Sequence, residues 1–118
     1  MSKKNLIAIA LLAFVIFLSP AQATEDQSLN LRPGKIHESC HKLERGSKLN
    51  YSFQVSSETL FNVHFHAGKV IEYPVTEQLA LESSGSVAVE TTQTYCLMWT
   101  NPQDHTVTLR YNVDIVSR

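Results

Sequence analysis

Two adjoining stretches, Thr94–Asn101 (TYCLMWTN) and His105–Val116 (HTVTLRYNVDIV), decide how this chain reads. In the second, Val107, Leu109, Tyr111, Val113 and Ile115 alternate strictly with Thr106, Thr108, Arg110, Asn112 and Asp114. That period of two is the mark of a strand with one wet face. The first is apolar at successive positions from Tyr95 to Trp99, as expected of a strand covered on both faces, and it holds the only tryptophan and one of two cysteines. Tyr95–Trp99 is therefore the expected central strand, joined to the second stretch as a hairpin through a turn at Asn101–His105.

Upstream, Leu49, Tyr51, Phe53 and Val55 alternate with Lys48, Asn50, Ser52 and Gln54. After a turn expected at Ser56–Thr59, Phe61, Val63 and Phe65 alternate with Asn62, His64 and His66. Ala67-Gly68-Lys69 reads as a tight reversal into Val70–Tyr73, which makes a hairpin whose pairing Pro74 either ends or places at an edge. Thr76–Glu82 is too short for an independent helix and reads as strand or irregular. Ser83–Ser86 reads as a loop and Val87–Glu90 as a short strand. Near the start, Leu29–Arg32 reads as a short strand stopped by the turn pair Pro33-Gly34, and Lys35–His41 as a weaker strand candidate leading to a turn at Leu43–Gly46. All four glycines fall at expected reversals. The expectation is an all-β fold, an antiparallel β-sandwich of seven to eight short strands of immunoglobulin-like type, with a turn about every ten residues.

The first residues fix the expected compartment. Lys3 and Lys4 precede an uncharged apolar run of 13 residues, Leu6–Leu18, and Ala21-Gln22-Ala23 is a small-x-small exit site. Residues 1–23 therefore read as a secretory signal, since the run is too short to span a bilayer comfortably. The competing reading is an uncleaved membrane anchor. Removing 23 of 118 residues leaves 95, residues 24–118, enough for a single domain. The 10 basic residues fall to 8 against 11 acidic, a formal charge of −3, which offers no electrostatic footprint for nucleic acid. Lys35, Lys42, Arg45 and Lys48 are interrupted by Glu38 and Glu44 and read as a solvated face. The expected product is periplasmic or secreted, with no membrane anchor in its mature form.

Cys40 and Cys96 are the only cysteines, and exported thiols meet oxidising conditions, so a disulfide is expected. Soft thiolate metal ligands are the competing reading. His64 and His66 leave the same face of a strand about 6.5 Å apart, a spacing from which two imidazoles can converge on zinc or copper. His37, His41 or Glu72 is the expected third ligand. The bland reading is two polar residues on a wet face, because His-x-His is a weak motif. Met98 offers a thioether for Cu(I) or, more ordinarily, fills the core. Asp104-His105 has residue types used in acid–base catalysis, but no serine sits in a nucleophile elbow, and no catalytic residue is assigned. Asn50-Tyr51-Ser52 fits a glycosylation acceptor. If Cys96 and Met98 face the core, parity turns Trp99 outward, where it needs a cover: the N-terminal segment, which is the expected one, or else a second chain or a ligand.

Several of these residues resemble a known family. Glu38-Ser39-Cys40, Gly46, the strand Leu49–Val55, Leu60-Phe61-Asn62-Val63, Tyr95-Cys96 and Thr100-Asn101 together are similar to the GOLD domain of emp24/gp25L/p24 proteins. The resemblance implies a disulfide-stapled β-sandwich that binds proteins or lipids. Family members continue into a coiled-coil stem, a membrane helix and a sorting tail, segments that this sequence to Arg118 does not contain, so the cargo-receptor role is not implied. The functional expectation is an exported, non-enzymatic binding module, without a cofactor. The alternative is a periplasmic zinc or copper protein using His64 and His66.

Overall fold

The computed structural model describes residues 25–118; the expected signal segment lies outside the described residues. The chain is all-β, with strands β1 (Gln27–Leu31), β2 (Ile36–Leu43), β3 (Lys48–Ala67), β4 (Val70–Ala88), β5 (Gln93–Thr100) and β6 (Val107–Val116). They form one curled sheet in the order β1-β6-β3-β5-β2, with β4 also paired to β3. The expected seven to eight short strands in stacked sheets are thus corrected to six strands, two of them long, in a sheet that curls on itself.

β3 is the organising strand, not β5. Its first half, Lys48–Val55, pairs with β6, and its second half, Leu60–His64, pairs with β5. Along its other edge it pairs with β4 in both halves. The turn expected at Ser56–Thr59 is instead a bend within β3, where register shifts from Gln54↔Glu82 to Thr59↔Ala80. Hydrogen bonds to polar groups hold that bend. Ser56 Oγ accepts from the Thr108 amide at 2.9 Å, and the Glu58 carbonyl accepts from Gln103 Nε2 at 2.9 Å.

The expected β5–β6 hairpin does not form either. β5 pairs with β2 and β3, whereas β6 pairs with β1 and β3. Asn101–His105 is therefore a link between two arms of the curl. Asn101 is fully buried there, donating from Nδ2 to the carbonyls of Leu31 and His105 and accepting at Oδ1 from the Gln103 amide. Such a buried amide is stable only because its donors and acceptor are satisfied.

The core fills the inside of the curl. Leu49, Tyr51 and Phe53 of β3 and Val107, Leu109 and Tyr111 of β6 are buried there, as their alternation requires. Trp99 is buried too, its ring 4.6 Å from Tyr111 and 5.3 Å from Phe61. This corrects the parity assignment: Trp99 faces in and needs no N-terminal cover, while Cys96 and Met98 lie on the opposite face. A continuous apolar run carries no parity signal, so the sequence left that choice open.

Gly85 is also corrected, since it lies inside β4 and not in a loop. Residues 83–86 stay extended because they pair with β3, and a Cβ at Gly85 would fall 2.5 Å from Tyr51 Oη, so the glycine makes room for the ring that it faces across the strand pair. The turn at Gly68 needs glycine for the other reason, a left-handed φ of 64° that closes the β3–β4 hairpin.

Candidate functional site

The curl leaves one sheet face on the outside, carried by β2, β5, the second half of β3 and the first half of β4. Antiparallel register builds it in rows across the strands. Cys40, Cys96 and His64 form one row, Glu38, Met98 and Asn62 the next, and Ile36, Thr100, Leu60 and Leu79 a third. Residues directly opposed across antiparallel strands share a face, so chemistry scattered over 60 residues of sequence converges here.

Cys40 and Cys96 are joined in a disulfide between adjacent strands. It staples neighbours within the sheet and does not bridge two layers. His64 is 5 % exposed, and its Nδ1 lies 2.7 Å from Asn62 Oδ1. An amide oxygen can only accept, so Nδ1 is the donor and Nε2 is the ring nitrogen left for another partner. The His66 ring lies 5.4 Å from that of His64, and the Tyr73 ring 5.9 Å from it. A ligand nitrogen of His64, the Glu38 carboxylate and Cys96 Sγ all lie within 4.8 Å of one another. A shallow depression of about 220 Å³ beside them is lined by Asn62, Tyr73, Thr76, Glu77 and Met98.

The residues proposed as a third ligand stand elsewhere. His37 and His41 pair with Trp99 and Tyr95 on the core side of β2, and Glu72 pairs with Phe65. Each is therefore on the opposite face from His64. Glu38 is the carboxylate that the fold brings up instead. Its only sequence signal was its i, i+2 relation to Cys40, which sets both on one face of a strand.

His37 and His41 play a structural part. His37 stacks on Trp99 at 5.9 Å, with Nε2 3.0 Å from Tyr111 Oη, and His41 Nε2 lies 2.9 Å from Ser39 Oγ. Burial lowers the pKa of both below the ordinary 6.5, although Glu38 partly opposes this at His37. A base whose pKa is depressed on folding binds protons more readily when unfolded. Its contribution is present above about pH 6.5 and is lost as pH falls through that value toward the folded pKa. The urea midpoint should accordingly fall between pH 7 and pH 5. In the His37→Gln, His41→Gln double variant, that slope should flatten.

The Asp104-His105 pair noted in the sequence gains a third member, Ser57, that its sequence position does not signal. His105 Nε2 lies 2.9 Å from Ser57 Oγ while its Nδ1 lies 3.0 Å from Asp104 Oδ1, an order of contacts seen in acyl-transfer triads. The Asp104 side chain is fully exposed, however, and His105 is about half exposed at 54 %. A triad needs a dry site and paired donors for the oxyanion. These three residues instead pin the bend of β3 to the β5–β6 link. Hydrogen bonding and charge from His105 hold the Asp104 carboxyl below its ordinary pKa. The acceptor pattern at Asn50 is likewise absorbed into the sheet, where Asn50 is half-buried in β3 and accepts from Ser86 Oγ at 2.7 Å.

No protein-family model and no curated protein matches this chain. Among solved structures it is similar to a de novo designed double-stranded β-helix determined by solution NMR, with a TM-score of 0.48 and 16 % identity, covering 77 % of this chain and 100 % of the other. Among the described residues no helix is long and apolar enough to cross a membrane.

Proposed function

We propose that this chain is an exported, non-enzymatic interaction module of GOLD-like type that captures an extended segment of another protein along β4. The disulfide supports the exported reading, because such bonds persist in oxidising compartments. The observation that carries the proposal is the free edge of β4. This 19-residue strand pairs with β3 on one side, and among the described residues no strand pairs with the other. A strand edge presents unpaired amides and carbonyls, which proteins usually guard with lysines or by covering the edge. Val70–Ala88 contains no lysine or arginine, and Pro74 alone interrupts its donors. Leu79 and Leu81 are 51 % and 52 % exposed, and Ile71 and Tyr73 extend the apolar surface toward the hairpin tip.

Charge selects the partner. β4 carries Glu72, Glu77 and Glu82 at equal spacing. Antiparallel pairing with a second copy centred on Glu77 would set Glu72 against Glu82 and Glu77 against itself, which is unfavourable. A foreign strand with apolar side chains alternating with lysine or arginine satisfies both the edge and the charges. Site-specific photo-crosslinking in the exporting compartment tests this. A crosslinker at Leu79 should yield one discrete adduct that Leu81→Lys abolishes, and the same crosslinker at Thr108 should yield none. Equal labelling at both positions, or an adduct consisting of a second copy, contradicts the proposal.

The alternative reading, zinc or copper held by His64 and His66, draws its support from the Asn62–His64 hydrogen bond, the kind that orients a metal-binding imidazole. Stoichiometric zinc on the oxidised chain, lost in the His64→Ala, His66→Ala double variant, is its test.

A further inference from the structure

The disulfide, His64 and Glu38 share one small patch of the outer sheet face. We infer that Cys40, Cys96, His64 and Glu38 form a zinc site that the disulfide keeps closed and that reduction opens. The inference is independent of strand capture by β4.

The donor set is that of a tetrahedral zinc centre. Two thiolates, an imidazole and a carboxylate suit Zn²⁺, whose ligands lie at about 2.0–2.3 Å and therefore about 3.3–3.8 Å from one another. The His64 nitrogen, the Glu38 oxygen and Cys96 Sγ are already within 4.8 Å, so small side-chain rotations close the gap. Cys40 completes the set from the position directly opposite Cys96 on β2. The imidazole is also oriented as a ligand: Asn62 accepts the Nδ1 proton at 2.7 Å and leaves Nε2 free. His64 and Cys96 are buried whereas Glu38 and Cys40 are exposed, which gives the ion a way in, and all four donors stand on a framework of three paired strands.

In the oxidised chain both sulfurs are spent on one another and carry no negative charge. Thiol–disulfide exchange with a dithiol opens the site. The attacking thiolate forms a mixed disulfide with one cysteine and its second thiol resolves it, so that the dithiol leaves as its cyclic disulfide and the chain gains two electrons and two protons. Zinc then displaces the two thiol protons to solvent. Because β2–β5 pairing extends over residues 36–43 and 93–100, the strands stay adjacent without the covalent bond, and the two thiols stay together.

Cobalt(II) serves as the spectroscopic stand-in, added anaerobically to the full exported chain before and after reduction by a phosphine. The reduced chain should bind one equivalent with thiolate-to-cobalt charge-transfer and tetrahedral d–d bands, both bleached by zinc, while the oxidised chain gives neither. Cys40→Ser, which leaves Cys96 as the one thiolate, should roughly halve the charge-transfer signal, and the Cys40→Ser, Cys96→Ser double variant should abolish it. His64→Ala should weaken zinc binding at least about tenfold, and Asn62→Ala, which removes the acceptor that orients the ring, about 10-fold to 100-fold. Trp99 fluorescence on the same samples reports the fold. Equal binding by oxidised and reduced chains would overturn the inference. So would undiminished affinity in His64→Ala, or a reduced chain that unfolds and is not restored by zinc.

Discussion

Trp99→Ala should lower the stability of the chain by about 3–5 kcal/mol, a large fraction of the roughly 5–15 kcal/mol typical of a domain. The indole is fully buried where the two arms of the curl meet. Its ring lies 4.6 Å from Tyr111 of β6, 5.8 Å from Phe53 and 5.3 Å from Phe61 of β3, and 5.9 Å from His37 of β2. Four strands therefore lose a common contact when it is truncated, and the rigid sheet cannot collapse to fill the space. Trp99→Phe should cost far less. The indole Nε1 has no hydrogen-bond partner among the described residues, and removing a buried unpaired donor offsets part of the lost packing. Urea denaturation followed by circular dichroism distinguishes the two substitutions, which should differ by more than about 1 kcal/mol if the ring is the joint between the arms.

Replacing both cysteines by alanine should cost about 2–4 kcal/mol, with the native fold kept. The bond spans 56 positions of sequence, so its loss frees a long loop in the unfolded chain. In the folded chain it joins strands that already pair over eight residues each, so secondary structure should not change. The check is a lowered urea midpoint with an unchanged circular dichroism spectrum below the transition. A chain that loses its sheet signal on this substitution would mean that the bond, and not β2–β5 pairing, holds that arm.

Much of this architecture was legible in the sequence because alternation is a local signal. Val107, Leu109 and Tyr111 face in on β6, as do Leu49, Tyr51 and Phe53 on β3, and the Gly68 reversal closes the hairpin where its left-handed backbone requires it. What could not be read depended on partners distant in sequence. Ser56 and Ser57 have the composition of a turn, yet their hydroxyls are taken by Thr108 and His105, so β3 bends there and continues. Gly85 resembles a loop glycine until the Tyr51 ring is placed across from it. The apolar run Tyr95–Trp99 has no alternation to tell its faces apart, and only the register against His64 and Phe61 shows that Cys96 is outside and Trp99 inside.

The same limit governed the site. His64 and His66 could be placed on one face from their spacing alone. The sequence offered His37, His41 and Glu72 as companions, but register turns all three to the other side and brings Glu38, Cys40 and Cys96 to His64 instead. Cross-strand neighbours are set by which strands pair, a property of the whole sheet. The long free edge of β4 is a similar case, since Val70–Tyr73, Thr76–Glu82 and Val87–Glu90 read as separate pieces until β3 aligns them.

Amide hydrogen exchange along β4, followed residue by residue in the oxidised chain, tests strand capture most directly. The alternate amides of residues 70–81 that point away from β3 should exchange rapidly in the isolated chain, and they should become protected when the protein crosslinked at Leu79 is added. Protection of those amides in the isolated chain, or exchange unchanged by the added protein, would show that β4 is not a vacant edge awaiting a strand.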